Sequence, residues 1–272
     1  MELNKENYYS VESNMEYMGS TQFKDFMECE YNALLKAKGE VVEPKTDALL
    51  MGAYIDAYFS GELEQFIANT PEILDGRKKE PTVRQAFVND CQIIISAIEQ
   101  DELMMKYLDG KKQVIMTGEI GGVKYKIKID CLKEDCIVDQ KVMSSYKDLI
   151  WVEKDGRNVK VDFVEAYGYD IQGAIYQEIV RQNIGKKLPF ILAVATKEDG
   201  VDKALIQIDQ KYLDQTLSLV AQVSERYDLI KRGIVKPRHC EKCASCRKAH
   251  KVERVVSYQE LFNKGEENGE NN

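Results

Sequence analysis

The chain has 272 residues, a formal net charge of −8 and 44% hydrophobic residues. That allows one large domain or two small ones around an ordinary globular core. It excludes a surface coated in positive charge for duplex binding, though not a local basic groove. No run approaches the roughly 18–20 apolar residues of a membrane span, and the polar start MELNKENYYS does not read as a signal peptide. Seven cysteines without a secretion signal point to a reducing compartment, with thiols or metal ligands ahead of disulfides.

Residues 1–18 read as a flexible, irregular lead-in. Ser20 is placed to cap a helix running through Lys38 and closed by Gly39, with an apolar stripe of Phe23, Phe26, Met27, Tyr31, Leu34 and Leu35. A second helix is expected over Asp47–Ser60. There Gly52 permits close packing, and Asp56, four residues on, shares its face. Residues 61–111 read as helical, with breaks at Asp75-Gly76 and Pro81 and the longest helix over Val83–Leu108. Strands follow at 113–120, 122–131 and 136–142. Trp151 is expected to pack over the sheet, and Asp155-Gly156 to mark a turn. Then come a helix over Ala166–Asn183 stopped by Gly185, strands at Pro189–Thr196 and Ala204–Ile208, and a long helix over Gln210–Lys231 ended by Gly233. The last residues, 263–272, form an acidic tail of disordered composition. This order predicts an α/β or α+β fold, a mixed sheet flanked by helices, in one domain over 19–262.

The chemistry concentrates in GEIGGVKYKIKIDCLKEDCIVDQKVM, residues 118–143. Tyr125, Ile127 and Ile129 alternate with Lys124, Lys126, Lys128 and Asp130, so the charged residues share one face of a strand. After a polar turn, Asp139 and Lys141 share a face of the next strand. Antiparallel pairing brings Asp130 beside Asp139. Two carboxylates offer oxygen ligands to a hard divalent cation, and an adjacent lysine can orient a water for attack on phosphorus. A half-buried strand with a solvated face has the same local pattern. The lysine row is a candidate groove for DNA.

Near the C-terminus, Cys240, Cys243 and Cys246 form C-x2-C-x2-C, a density that suggests a metal or cluster site needing a fourth ligand: His239, His250 or Cys29. Cys91, Cys131 and Cys136 read as core or strand residues.

In combination these segments resemble a known group. The run ending in Asp130, IVDQK nine residues on, and Gln172 with Tyr176 in Q-x-x-x-Y resemble the PD-(D/E)XK nucleases of the RecB type. The phrases STQFKDFMECEYNAL, ALLMGAYIDAYFSGELEQF, KQVIMTGEIGGVKYKIKID and YGYDIQGAIYQEIVRQNIGKKLPF are similar to phage and prophage exonucleases of the RecE (exodeoxyribonuclease VIII) group. The resemblance covers roughly residues 18–250.

The resemblance implies that Asp130 and Asp139 bind Mg²⁺ or Mn²⁺, with Lys141 catalytic and the Gln140 carbonyl completing the metal shell. Gln172 and Tyr176 would position DNA or the ligands. Many relatives carry a metal-binding histidine where this chain has Asp56, itself an oxygen ligand. Glu119 matches a glutamate that supports either the metal shell or the structure. Related AddB-type nucleases tie a cysteine triplet to an N-terminal cysteine through a [4Fe–4S] cluster, as Cys29 with Cys240, Cys243 and Cys246 would here, with Zn²⁺ the alternative. The implied activity is 5′-to-3′ digestion of one strand of linear duplex DNA, in a bacterial cytoplasm, by a homo-oligomer working with a RecT-type annealing protein. The rivals are a non-catalytic DNA-end-binding or inhibitor protein on the same fold and a nuclease of the CRISPR-adaptation type.

Overall fold

A computed structural model describes residues 1–76, 82–154 and 156–261. The expected break at Pro81, the residue Asp155 of the expected turn and the acidic tail lie outside these. The chain opens with α1 (Val11–Glu16), α2 (Ser20–Glu28), α3 (Glu30–Ala37), α4 (Asp47–Ser60), α5 (Leu63–Ala68), α6 (Gln85–Glu99) and α7 (Glu102–Leu108). The strands β1 (Lys111–Ile120), β2 (Val123–Leu132) and β3 (Ile137–Met143) follow, then β4 (Ile150–Lys154) and β5 (Arg157–Val161). Helices α8 (Phe163–Ala166) and α9 (Tyr169–Ile184) lead to β6 (Phe190–Thr196), β7 (Lys203–Gln207), α10 (Gln210–Lys231) and α11 (Ala244–Ala249).

Five strands form one mixed sheet in the order β1-β2-β3-β6-β7, with β3 and β6 parallel and the other neighbours antiparallel. A parallel pair cannot be joined by a tight turn, and α9 lies in the crossover between β3 and β6. The β1–β2 hairpin turns at Gly121 and Gly122, both with φ above +50°, where side chains are strained.

Both faces of the sheet are covered. Tyr125, Ile127, Ile129, Leu192 and Val194 pack under α2, α9 and α10 with Phe23, Phe26, Ile175 and Ile179. On the other face Val138, Ile191, Ala193 and Ala195 pack under α4 and α6 with Leu50, Ile55, Ile94 and Ile98. The strict alternation along β6 divides its side chains between these two cores, as expected of a strand buried on both sides. Cys91, Cys131 and Cys136 belong to the second core, matching their expected role.

Four expectations are corrected. Residues 1–18 are not a loose lead-in: Tyr8, Ser13, Tyr17 and Met18 are buried. Met18 pairs with β2 through Met18 N–H to Lys124 O at 2.8 Å and Lys126 N–H to Met18 O at 2.9 Å. The helix expected over 20–38 breaks at Cys29, whose backbone is extended and which ends α2 and caps α3. The helix expected over 83–108 divides at Asp101, whose carboxylate accepts from Met104 N–H and so caps α7. Trp151 does not cover the sheet. It stands 65% exposed on the separate β4–β5 hairpin.

Candidate active site

The β2–β3 ladder contains only two registered pairs, Cys131 with Val138 and Leu132 with Ile137. Beyond them Asp130 uses its side chain, and its Oδ2 accepts from Gln140 N–H at 2.9 Å. A carboxylate therefore takes the place of a ladder carbonyl. The adjoining cavity, about 380 Å³, is lined by Asp56, Asp130, Asp139, Lys141, Gln172 and Tyr176 among others.

Each of these side chains is fixed by a different element. β3 carries Asp139, 1% exposed, and two residues on its Lys141 ammonium stands 2.5 Å from Asp139 Oδ2. α9 brings two residues one turn apart: Gln172 Nε2 donates to Asp139 Oδ1 at 2.6 Å, and the Tyr176 hydroxyl donates to Lys128 O at 3.0 Å. Gly173 lets α9 approach this closely, since a Cβ there would stand 2.7 Å from the Phe190 ring. α4 supplies Asp56, whose oxygens accept from Gln113 Nε2 at 3.1 and 3.2 Å.

The electrostatics are those of crowded acids. Loss of water, then the neighbouring Asp139 and Asp56, push the Asp130 carboxyl well above its usual range. Burial raises Asp56 too. Burial pulls Lys141 down, but Asp139 and Asp130 outweigh it and hold its ammonium above the usual lysine range. Asp139 Oδ2 has no well-directed hydrogen bond and faces only that ammonium among the described residues. Three carboxylates against one closely paired lysine leave negative charge that a hard divalent cation would neutralise, and all the donors are oxygens. The residues present fit Mg²⁺ or Mn²⁺.

Residues 19–249 match the family described as a PDDEXK-like domain of unknown function (DUF3799). The chain belongs to this family. A crystal structure from Eubacterium rectale bearing the name "Putative exonuclease" is 43% identical and superposes with a TM-score of 0.88. The alignment covers 97% of this chain and 99% of that one. No curated protein matches. Family and fold together support a nuclease.

Within this PDDEXK-like domain the structure gathers Asp56, Asp130, Asp139, Gln140, Lys141, Gln172 and Tyr176 around one cleft. It does not bring Glu119 there. That residue is exposed beside the β1–β2 turn opposite Lys124, and its main chain is held by Gln182 at 2.7 and 2.9 Å. Nor do the three lysines form a free basic row. Lys124 pairs with Glu16 at 3.0 Å. Lys126 is 4% exposed and spends its donors on Tyr8 O, Ser13 Oγ and Asn14 Oδ1. Lys128 also lines the cavity, its ammonium 5.1 Å from the centre of the Tyr9 ring and in no ion pair among the described residues.

Sequence reasoning missed Gln113, which lies in β1 between the pairs Lys112–Cys131 and Val114–Ile129, with a left-handed φ of 52°, and turns its amide onto Asp56. It also missed Tyr8, Tyr9 and Asn14, which the N-terminal segment lays along the cavity wall. Nothing local marks either group. The YYS run next to an acidic segment reads equally well as a loop.

A second ligand-rich centre lies apart. The sulfurs of Cys29, Cys240, Cys243 and Cys246 all lie within 4.8 Å of one another. Cys29 joins because the chain breaks between α2 and α3, so it completes the triplet, whereas His239 stacks on Tyr31 at 4.2 Å and His250 is exposed. Burial would raise Cys240, but the N–H groups of Cys243 and Lys242 outweigh it and bring the thiol down to about 6.

Proposed function

We propose that this chain is a divalent-cation-dependent DNA exonuclease of a phage or prophage recombination system, degrading one strand of linear duplex from the 5′ end. The observation that carries the reading is the geometry at Asp139. Lys141 stands on one oxygen, Gln172 on the other, and Asp130 and Asp56 line the same cavity. A merely solvated strand face would not bury a carboxylate to 1% exposure beside two further acids.

Asp56, Asp130, Asp139 and the Gln140 carbonyl would hold Mg²⁺ or Mn²⁺, which when bound stabilises charge on the phosphate oxygens. Lys141, held as an ammonium by its neighbours, donates to the attacking water and orients it. Gln172 keeps Asp139 from rotating away. Tyr176 ties α9 to the main chain of β2 at Lys128, which fixes the distance between the motif helix and the carboxylates. Lys128, on the cavity wall, would meet the DNA backbone. The RecE-type resemblance supports a ring-forming homo-oligomer and a RecT-type annealing partner.

The test is digestion of linear duplex labelled at either end, with Mg²⁺ or Mn²⁺ against EDTA. Metal-dependent release of the 5′ label ahead of the 3′ label is expected. No cleavage with either metal would overturn the enzymatic reading, and loss of the 3′ label first would overturn the polarity.

A further inference from the structure

The four cysteines meet at spacings that identify what they hold. Cys29 Sγ lies 3.5 Å from Cys246 Sγ, and Cys240 Sγ lies 3.8 Å from Cys246 Sγ. Cys243 Sγ lies 3.8 Å from Cys29 Sγ. None of these is a disulfide, because all four are free thiols. A zinc–thiolate bond is about 2.3 Å, and four such bonds at tetrahedral angles place the sulfurs about 3.8 Å apart. In a [4Fe–4S] cluster each cysteine binds a different iron at a corner of a cube, which spreads the four sulfurs to roughly 6 Å or more. The observed spacings are those of one ion, and the 4.8 Å limit on every pair excludes the cube.

The local backbone already supports that arrangement. Asn32 N–H reaches Cys29 Sγ at 3.5 Å, Cys243 N–H reaches Cys240 Sγ at 3.3 Å, and Cys246 N–H reaches Cys243 Sγ at 3.4 Å. Glu241, inside the first C-x2-C, takes a left-handed φ of 62°, which folds that turn tightly enough for both sulfurs to point one way. The surroundings fix the fourth ligand. Ser245 Oγ donates to Asn32 Oδ1 at 2.6 Å, and Tyr31 N–H donates to Arg238 O at 3.1 Å. Arg226 clasps Glu30 through two bonds at 2.7 and 2.8 Å.

We propose that Cys29, Cys240, Cys243 and Cys246 hold a single tetrahedral Zn²⁺ that staples the start of α3 to the segment after α10, in place of an iron–sulfur cluster. Four sulfur ligands fill the tetrahedron and leave no open position, so the ion is structural. It closes a loop of more than two hundred residues in the unfolded chain, where a cross-link removes much conformational freedom. The inference stands whether or not the carboxylate cavity cleaves DNA.

The test is metal and sulfide analysis of the full-length protein, purified anaerobically from cells supplied with both iron and zinc. One zinc per chain, a colourless protein and no acid-labile sulfide are expected. Refolding with Co²⁺ alone should give the intense visible bands of a tetrahedral thiolate site, and Cys243→Ser should weaken or shift them. Cys91→Ser, a core thiol outside the group, should leave zinc content unchanged and serves as the folding control. Brown protein with about four irons and four sulfides per chain, a single iron, or no bound metal at all would each overturn the proposal.

Discussion

The carboxylate cavity and the cysteine quartet are both ligand-rich, yet they are built on opposite principles. The four sulfurs converge to within 4.8 Å of one another, whereas the oxygens of Asp56, Asp130 and Asp139 form no such group among the described residues. Four sulfurs would use up the coordination shell of a single tetrahedral ion. The carboxylates are spread round a cavity of about 380 Å³ together with Lys128, Lys141, Gln172, Tyr8, Tyr9 and Tyr176. A saturated shell holds an ion for its own sake. An unsaturated one leaves positions for substrate, which separates structural from catalytic metal sites in general. On the proposed readings, the quartet would serve stability and the cavity chemistry.

The strongest way to break that division is Asp139→Ala. Cleavage should fall by about a thousandfold or more, as when a principal charge-stabilising group is removed. Zinc content at the cysteines should not change. A variant that cleaves normally, or loses its zinc, would show that the two centres are not separate in role. The open half is sharpened next by Tyr9→Ala. This ring is 69% exposed at the cavity wall, in edge contact with Tyr8 and beneath the Lys128 ammonium. Base stacking on such a ring predicts about tenfold weaker binding of a single-stranded overhang, measured with Ca²⁺ in place of Mg²⁺, with Tyr9→Phe restoring it.

The closed half is sharpened by acid. Glu30, 8% exposed beside the quartet, would be raised by burial, but Arg226 and the Arg238 N–H outweigh this and hold it below the usual glutamate range. Its folded pKa is depressed, so the stability it contributes is complete above the unfolded value of about 4.3 and disappears as pH falls through the folded value. Thermal melting should show Glu30→Gln about 5 °C below wild type at pH 7, with the gap narrowing below about pH 4. A gap constant with pH would show that the Arg226 pair supplies none of it. The smallest effects belong to Glu119→Ala and Lys124→Ala. Both residues lie at the far end of the hairpin, and each change should leave cleavage unaltered and stability within about 0.5 kcal/mol.

The sheet was legible because its strands obey period two. Tyr125, Ile127 and Ile129 alternate with polar neighbours, and all three are fully buried. Asp130, Asp139 and Lys141 were legible for the same reason. What the sequence concealed was set by distant contacts. FMECEYNALL reads as one uninterrupted helix, yet Cys29 in its middle is extended where it meets Cys246, a contact 217 residues away in the chain. Lys126 reads as one of a solvated row, yet the N-terminal segment folds over it and supplies three acceptors. Gln113 gave no signal at all, because a left-handed backbone is ordinarily marked by glycine and here falls on a glutamine that serves Asp56.

The division between the two centres is tested most directly by anomalous X-ray scattering from crystals of the zinc-loaded protein soaked in Mn²⁺. A manganese peak in contact with Asp130 and Asp139, and a separate zinc peak within bonding distance of all four cysteine sulfurs, is the predicted map. Manganese absent from the carboxylates, or a cluster of scatterers spread among the sulfurs, would contradict it.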